Sequence, residues 1–223
     1  MNIKNILNGI EGLKAKGELD LEITGIESNS KKIEKGFLFV AIKGFTVDGH
    51  EYINNAIENG AQAVVVDMSC DLKSLKIPAN ITLIVSRDTR EFLALSSANF
   101  YGNSSQKFKL IGITGTKGKT TTTFMIKEIL EKAGKKVGLI GTIATYINGK
   151  KIADSDRTTP ESLELQRTFA DMAKEGVEYV VMEVSSQSLK LHRVDGCHFD
   201  LVAFTNFSDC LLYTSDAADE RSS

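Results

Sequence analysis

The chain of 223 residues predicts an α/β fold with a mostly parallel sheet, built as two successive units. Three observations carry that reading. Short, near-continuous apolar runs alternate with segments of helical periodicity, as expected of parallel strands covered on both faces. One such strand and helix, spanning 108–132, are joined by a glycine-rich turn that ends in lysine and threonine. A polar, glycine-containing stretch, Tyr101–Gln106, interrupts the alternation and is the best linker between two units.

In the first unit, Phe37–Ile42 is apolar enough for a buried strand. Glu51–Asn59 follows as a helix, with Tyr52, Ile53, Ala56 and Ile57 on one stripe and Gly60 ending it. Ala63–Asp67 and Ile81–Ser86 are rich in β-branched residues and read as buried strands. Thr89–Phe100 is a second helix. The second unit opens with a strand, Phe108–Thr114, then the glycine-rich loop and a helix over Thr120–Lys132. A strand at Val137–Gly141 precedes a hairpin turning on Asn148-Gly149, a strong two-residue turn signal. A helix over Pro160–Lys174 and strands at Tyr179–Val184 and Asp200–Thr205 complete the order. Ligands of such sheets bind beyond the carboxyl ends of strands, where the loop, Glu183–Ser186 and Thr205-Asn206 all fall.

Bulk properties exclude several classes. With 42% hydrophobic and 25% charged residues the balance is that of an ordinary globular protein. A net charge of −2 carries no basic surplus for nucleic acid. No apolar run approaches a membrane span, and Met1–Asn5 lacks the apolar core of a signal peptide. Cys70, Cys197 and Cys210 form neither a metal-spaced cluster nor a disulfide framework, and His50, His192 and His198 read as loop or packing histidines. The cytoplasm is the expected compartment.

Most of the functional information lies in 112–122. A turn from strand to helix aims backbone N–H groups and a helix N-terminus at one spot, which favours an anion. Lys119 adds a mobile positive charge and Thr120 a hydroxyl suited to magnesium. The general phosphate-loop pattern wants a glycine where Ile113 stands; here the glycine sits at 115, giving a compressed Gly-x-x-Gly-Lys-Thr.

Four more segments accompany this loop: Ile26–Gly44, Asp48–His50 with Gly60-Ala61, Arg157–Glu161, and Met182–Arg193. Together they resemble the Mur ligases of peptidoglycan synthesis, from about Ile23 to Ser208. Arg157–Glu161 and Glu183–Ser186 favour the member that adds the third residue of the stem peptide. The resemblance implies a three-domain, ATP-dependent ligase with a monomeric parent. Residues 1–100 would form a small N-terminal α/β domain binding the UDP end of the substrate. Residues 101–209 would form a truncated central ATP-binding domain, and an amino-acid domain would follow. The implied cofactors are ATP and Mg2+. The implied substrates are UDP-MurNAc-L-Ala-D-Glu and an amino acid of the diaminopimelate or lysine class.

The resemblance also assigns residues. The loop Gly115, Thr116, Lys117, Gly118, Lys119, Thr120 and Thr121 would hold the ATP phosphates, with Lys119 catalytic. Thr120 and Glu183 would ligate magnesium, both being hard oxygen donors. Thr158, Thr159, Ser185 and Arg193 would contact the muramoyl dipeptide, and Ser30 the UDP moiety, with Phe45–Val47 beside the uracil. Alternatives stay open for three of them: a salt-bridged strand end for Glu183, helix capping for Thr158 and Thr159, and a solvated surface cation for Arg193. Two departures stand out. The family pattern has Asp-Ser-Arg where this chain has Asn29-Ser30-Lys31, removing a bidentate guanidinium, and it has Asn where Lys117 sits. An unrelated phosphate-loop ATPase would share the cradle but leave Ser30 and Thr158–Glu161 unexplained, and a folylpolyglutamate-type ligase would lack the first unit.

The stretch from Cys210 to Glu220 back-translates into a sequence resembling a transposase adapter used in sequencing libraries. Residues 210–223 therefore read as a non-native tail, with Asp209 also suspect.

Overall fold

The computed structural model describes residues 1–72 and 75–207; the tail at 210–223 lies outside the described residues. The chain divides into two compact units, Met1–Gly102 and Asn103–Ser223.

The first unit runs α1 (Ile3–Ile6), β1 (Lys14–Lys16), β2 (Gly25–Glu27), β3 (Phe37–Val40), α2 (Ile53–Glu58), β4 (Ala63–Asp67), β5 (Thr82–Ser86) and α3 (Thr89–Phe100). Its five-stranded sheet has the order β1-β5-β4-β3-β2, parallel except for β1. Phe39, Val64 and Val66 face Ile53 and Ala56 of α2 in one core cluster. α3 starts where its sequence places a cap: the Asp88 carboxylate accepts from the amides of Arg90 and Glu91. The helix predicted over Glu51–Asn59 forms only from Ile53, because Gly49–Tyr52 winds as a tighter three-residue-per-turn helix. That change of pitch takes Tyr52 off the predicted stripe and leaves it exposed.

The second unit runs β6 (Lys109–Thr114), α4 (Lys119–Lys132), β7 (Val137–Ile140), β8 (Ala144–Ile147), β9 (Lys150–Asp154), α5 (Ser162–Lys174), β10 (Tyr179–Glu183), α6 (Ser186–Lys190) and β11 (Leu201–Phe204). The sheet order is β11-β6-β10-β7-β8-β9, with β11, β6, β10 and β7 parallel and β8–β9 an antiparallel hairpin. Asn148 and Gly149 have φ of 50° and 78°, the pair of left-handed residues a type I′ turn needs. β10 sits between β6 and β7 and is covered on both faces. Val180 and Met182 pack with Leu165, Phe169 and Met172 of α5, while Val181 packs with Ile126 and Leu130 of α4. The hairpin is fixed to α4 by Lys127, whose buried ammonium pairs with Glu131 at 2.8 Å and lies 5.8 Å from the Tyr146 ring centroid. Burial opposes that charge, but Glu131 and Glu128 outweigh it and hold the lysine's pKa above its ordinary value. β11 is the edge strand among the described residues, and Leu201, Val202 and Phe204 are exposed on it.

The predicted linker is not uniformly loose. The division falls after Gly102, and Ser104 and Ser105 are buried in a short turn of the second unit.

Candidate functional site

The site is assembled where four parallel strands of the second unit end. β6 ends at Thr114, and the loop Gly115–Gly118 leads into α4. Gly115 has φ of 132°, and a Cβ there would run into the Thr205 hydroxyl and the Asn206 backbone. The loop lies that close because the end of β11 straps it down. Asn206 O accepts from Thr116 N at 3.0 Å, Asn206 Oδ1 accepts from Lys117 N at 3.1 Å, and Asn206 Nδ2 donates to Lys117 O at 3.0 Å. Thr205 Oγ1 donates to the same Lys117 carbonyl at 2.7 Å. α4 opens on Gly118 with no side chain capping it, so its first-turn amides stay available to an anion. Lys119 folds back and donates to the Gly115 carbonyl at 2.7 Å. Lys117 is exposed.

β10 ends at Glu183, which is 1% exposed. Its partners among the described residues are all neutral. Thr120 Oγ1 donates to Oε2 at 3.0 Å, Thr142 N to Oε1 at 2.9 Å and Thr142 Oγ1 to Oε2 at 3.1 Å. The salt-bridge alternative for this carboxylate is therefore set aside. A buried carboxylate held by hydroxyls and an amide, beside a threonine hydroxyl, is a hard oxygen donor set that fits a magnesium ion completing its shell with water and phosphate.

The substrate-assigned residues gather beside it. Thr158 Oγ1 is hydrogen-bonded to Thr142 Oγ1 at 3.1 Å, and donates to it while the Thr142 proton is engaged by Glu183. Thr159 is fully buried and does not cap α5, whose N-cap is Glu161. Its hydroxyl instead donates to Glu183 O at 2.9 Å and accepts from Ser185 N at 3.1 Å, tying the 157–161 segment to the end of β10. Ser185 caps α6 through its hydroxyl, which accepts from Ser188 N at 3.1 Å. Arg193 is not a solvated surface cation: it is buried, donates to Thr159 O at 3.3 Å and pairs with Glu161 at 3.0 Å. Glu161 also binds Arg157, so one carboxylate bridges two guanidinium groups. Burial pushes the Cys197 thiol up to about 12, which makes it a packing residue and no nucleophile.

In the first unit, Ser30 is buried at the start of a short turn capped by the Asn29 side chain, and its carbonyl accepts from Asn59 Nδ2 at 2.9 Å. Phe45 is 83% exposed, with the Arg90 guanidinium 5.9 Å from its ring centroid.

Comparison with known proteins decides the family. The model described as Mur ligase family, catalytic domain, matches residues 22–101, and that described as Mur ligase middle domain matches 113–210. The chain belongs to the Mur ligase family. It is 53% identical over 208 residues to a UDP-N-acetylmuramoyl-L-alanyl-D-glutamate–2,6-diaminopimelate ligase of Clostridium botulinum, covering 93% of this chain and 42% of that protein. It is 45% identical over 222 residues to the ligase of the same name from Clostridioides difficile, covering 99% of this chain and 44% of that protein. A solved structure of a UDP-N-acetylmuramoyl-L-alanyl-D-glutamate–2,6-diaminopimelate ligase superposes with a TM-score of 0.75 at 25% identity, over 99% of this chain and 43% of that one. The fold is shared with MurF ligase from Thermotoga maritima, solved in complex with ADP, at a TM-score of 0.52 and 24% identity over 81% of this chain and 37% of that one. The chain thus spans less than half the length of the relatives it matches. No helix among the described residues is long and apolar enough to cross a membrane.

Sequence reasoning missed Thr142 and placed Asn206 only at a strand end, with no role in shaping the loop. Thr142 and Asn206 each engage the site through backbone and side chain together. The signal that could have found Thr142 is its place just past the carboxyl end of a predicted strand.

Proposed function

We propose that the parent of this chain is an ATP-dependent ligase that joins 2,6-diaminopimelate to UDP-MurNAc-L-Ala-D-Glu in peptidoglycan precursor synthesis. The observation that carries the reading is the juxtaposition of a strapped phosphate loop, the Thr120–Glu183 pair and the 157–161 segment at one sheet edge. The names and identities of the relatives supply the substrate class.

A carboxylate resists attack by an amine until it carries a leaving group. In this reading the γ-phosphoryl group of ATP passes to the D-glutamate carboxylate, ADP departs, and the amine of the third amino acid displaces phosphate from the acyl phosphate. The protein supplies position and charge more than covalent help. The amides from Gly118 to Thr121 and the Lys119 ammonium receive the phosphates, with Gly115, Thr116 and Lys117 shaping the loop. Thr120 and Glu183 would hold a magnesium ion, which when bound would neutralise phosphate charge. Thr158, Ser185 and Arg193 orient the muramoyl dipeptide, Thr159 serves from beneath by fixing that segment, and Ser30 marks the UDP end.

The test is phosphate release by the full parent with UDP-MurNAc-L-Ala-D-Glu and a panel of diamino acids. Lys119→Ala should lower turnover by about 10²–10³-fold or more while the melting temperature holds. Activity within a few-fold of wild type overturns the cradle role. Release with lysine but not diaminopimelate overturns the amino-acid assignment alone.

A further inference from the structure

β7 is a fully buried run, Val137–Ile140, and pairs in register with β10 so that Ile140 lies opposite Met182. The next residue on β10 is Glu183, and the next on β7 is Gly141. A Cβ on Gly141 would collide with Glu183 Oε1, so the strand end is bare where the carboxylate lies. Thr142 follows. It is exposed, yet its amide and hydroxyl both turn inward and make two of the three hydrogen bonds that the carboxylate accepts. Its amide grips Oε1 and its hydroxyl Oε2, which fixes the plane of the carboxylate. The same hydroxyl lies 3.1 Å from Thr158 Oγ1 and 3.1 Å from Glu183 Oε2. A hydroxyl has one proton, and the carboxylate can only accept, so Thr142 donates to Glu183 Oε2 and its oxygen accepts from the Thr158 hydroxyl.

We propose that Thr142 is a positioning residue that orients the Glu183 carboxylate toward the metal and carries the state of that site to Thr158 in the substrate segment. The proposal rests on the reading of Thr120 and Glu183 as magnesium ligands and extends it to a residue that touches neither phosphate nor metal. When Glu183 and Thr120 are drawn to a cation, the demand of Oε2 for the Thr142 proton falls, and the Thr142 hydroxyl is free to donate to Thr158, which reverses the hydrogen bond between them. A chain of hydroxyls and one carboxylate, Thr120–Glu183–Thr142–Thr158, thereby couples nucleotide loading to the segment that Thr159 pins beneath it. Partners of this kind typically hold 10–100-fold in metal affinity.

The experiment titrates Mn2+, as an electron-spin-resonance probe, into the full parent with ATP. The variants are Thr142→Val, Thr142→Ser, Thr158→Val, Glu183→Gln and Lys119→Ala. Thr142→Val should weaken Mn2+·ATP binding by about tenfold or more while ATP affinity without metal stays within twofold. Thr142→Ser should restore binding to within twofold, a rescue that a purely steric role would not give. With threonine methyls labelled, the shift of the Thr158 methyl on adding Mg2+ and ATP should appear in wild type and Thr142→Ser and vanish in Thr142→Val. Thr158→Val should leave Mn2+ affinity within twofold. Wild-type affinity in Thr142→Val, an equal loss of metal-free ATP binding, or failure of the serine rescue overturns the proposal. If Glu183→Gln and Lys119→Ala weaken binding but Thr142→Val does not, only this inference falls. If those two bind like wild type, or wild type binds no Mn2+·ATP, the underlying reading falls with it.

Discussion

In the first unit the loops after β3, β4 and β5 bring Asp48, His50, Asp67 and Asp88 to the carboxyl edge of the sheet, as those after β6, β7, β10 and β11 bring Lys119, Thr142, Glu183 and Asn206 to the edge of the second. The first set consumes itself. The Asp67 amide donates to His50 Nε2 at 3.1 Å, which makes that nitrogen an acceptor and puts the ring proton on Nδ1, 2.6 Å from Asp48 Oδ1. Asp67 accepts from Ser69, and Asp88 from the amides that open α3. A cavity of about 450 Å³ lies among these residues, and Asp48, His50, Asp67 and Asp88 on its wall are each engaged in the hydrogen bonds just described. In the second set Lys119 rests on carbonyls, and Glu183 on hydroxyls and an amide. Both sets are held by neutral dipoles, so the difference lies in sign: the first presents carboxylates, whereas the second sets the Lys119 ammonium and the uncapped first-turn amides of α4 where an anion can meet them. Two sheets of similar build therefore differ at their edges in what is left unspent for an anion.

The sharpest way to break this contrast is Gly115→Ala. The new Cβ meets Thr205 and Asn206, at a φ that L-residues rarely adopt. It should destabilise the second unit by roughly 3 kcal/mol or more and remove ATP affinity, with amide exchange in the first unit unchanged. A variant that still binds ATP within a few-fold would show that the strap does not shape the cradle.

A smaller effect is expected from opening the first unit's network. His50→Ala leaves the Asp67 amide without its acceptor and should cost the first unit about 1–2 kcal/mol, with ATP binding by the second unit unaltered. The sign of the pH dependence follows from Asp48. The backbone hydrogen bond from His50, reinforced by the ring, holds its pKa below the ordinary 3.8 in the folded protein. Its contribution is complete above pH 3.8 and is lost as pH falls through the lower folded value. Asp48→Asn should accordingly be less stable than wild type at neutral pH, and the gap should close in acid. A gap that widens in acid, measured by denaturant melts across pH, would contradict the network.

The legibility of the two edges differed for physical reasons. β4 and α3 lie where the β-branched run Ala63–Asp67 and the Asp88 cap place them, and the Asn148-Gly149 turn carried the hairpin. β1, β2 and α6 escaped notice. Lys14–Lys16 is exposed throughout and owes its place to antiparallel pairing with β5, while Gly25–Glu27 is buried throughout but too short to show a period. In the site, Lys119, Thr120 and Glu183 were legible because each has a side chain whose chemistry is unusual at a strand or helix end. Thr142 was not, and Asn206 was legible only as a strand end and not as a strap, because half of what they do is done by backbone atoms and their partners lie 41 and 89 residues away. Thr159 and Arg193 were legible as important but not as buried. A Thr-Pro pair looks like a helix start, and only the fold shows its hydroxyl turned to Glu183 O and Ser185 N.

The finest probe of unspent charge is Lys117, where the family pattern has Asn. Its backbone is fully engaged, N–H and C=O both held by Asn206, so the loop's shape does not depend on the side chain. The residue is exposed, and its ammonium is available as a second, long-range cation for a polyphosphate. Such a contribution is Coulombic, small and screened by salt. Lys117→Asn should therefore weaken ATP binding by only about two- to fivefold at low ionic strength, with the difference from wild type vanishing near 0.5 M salt, where the screening length is about 4 Å. Calorimetric titration at several salt concentrations reads this directly. A loss that persists at high salt would mean that Lys117 makes a specific contact with the nucleotide, and no loss at low salt would mean that Lys119 and the helix amides already saturate the phosphates. In either case the edge of the second unit would hold a different amount of unspent charge than its geometry indicates.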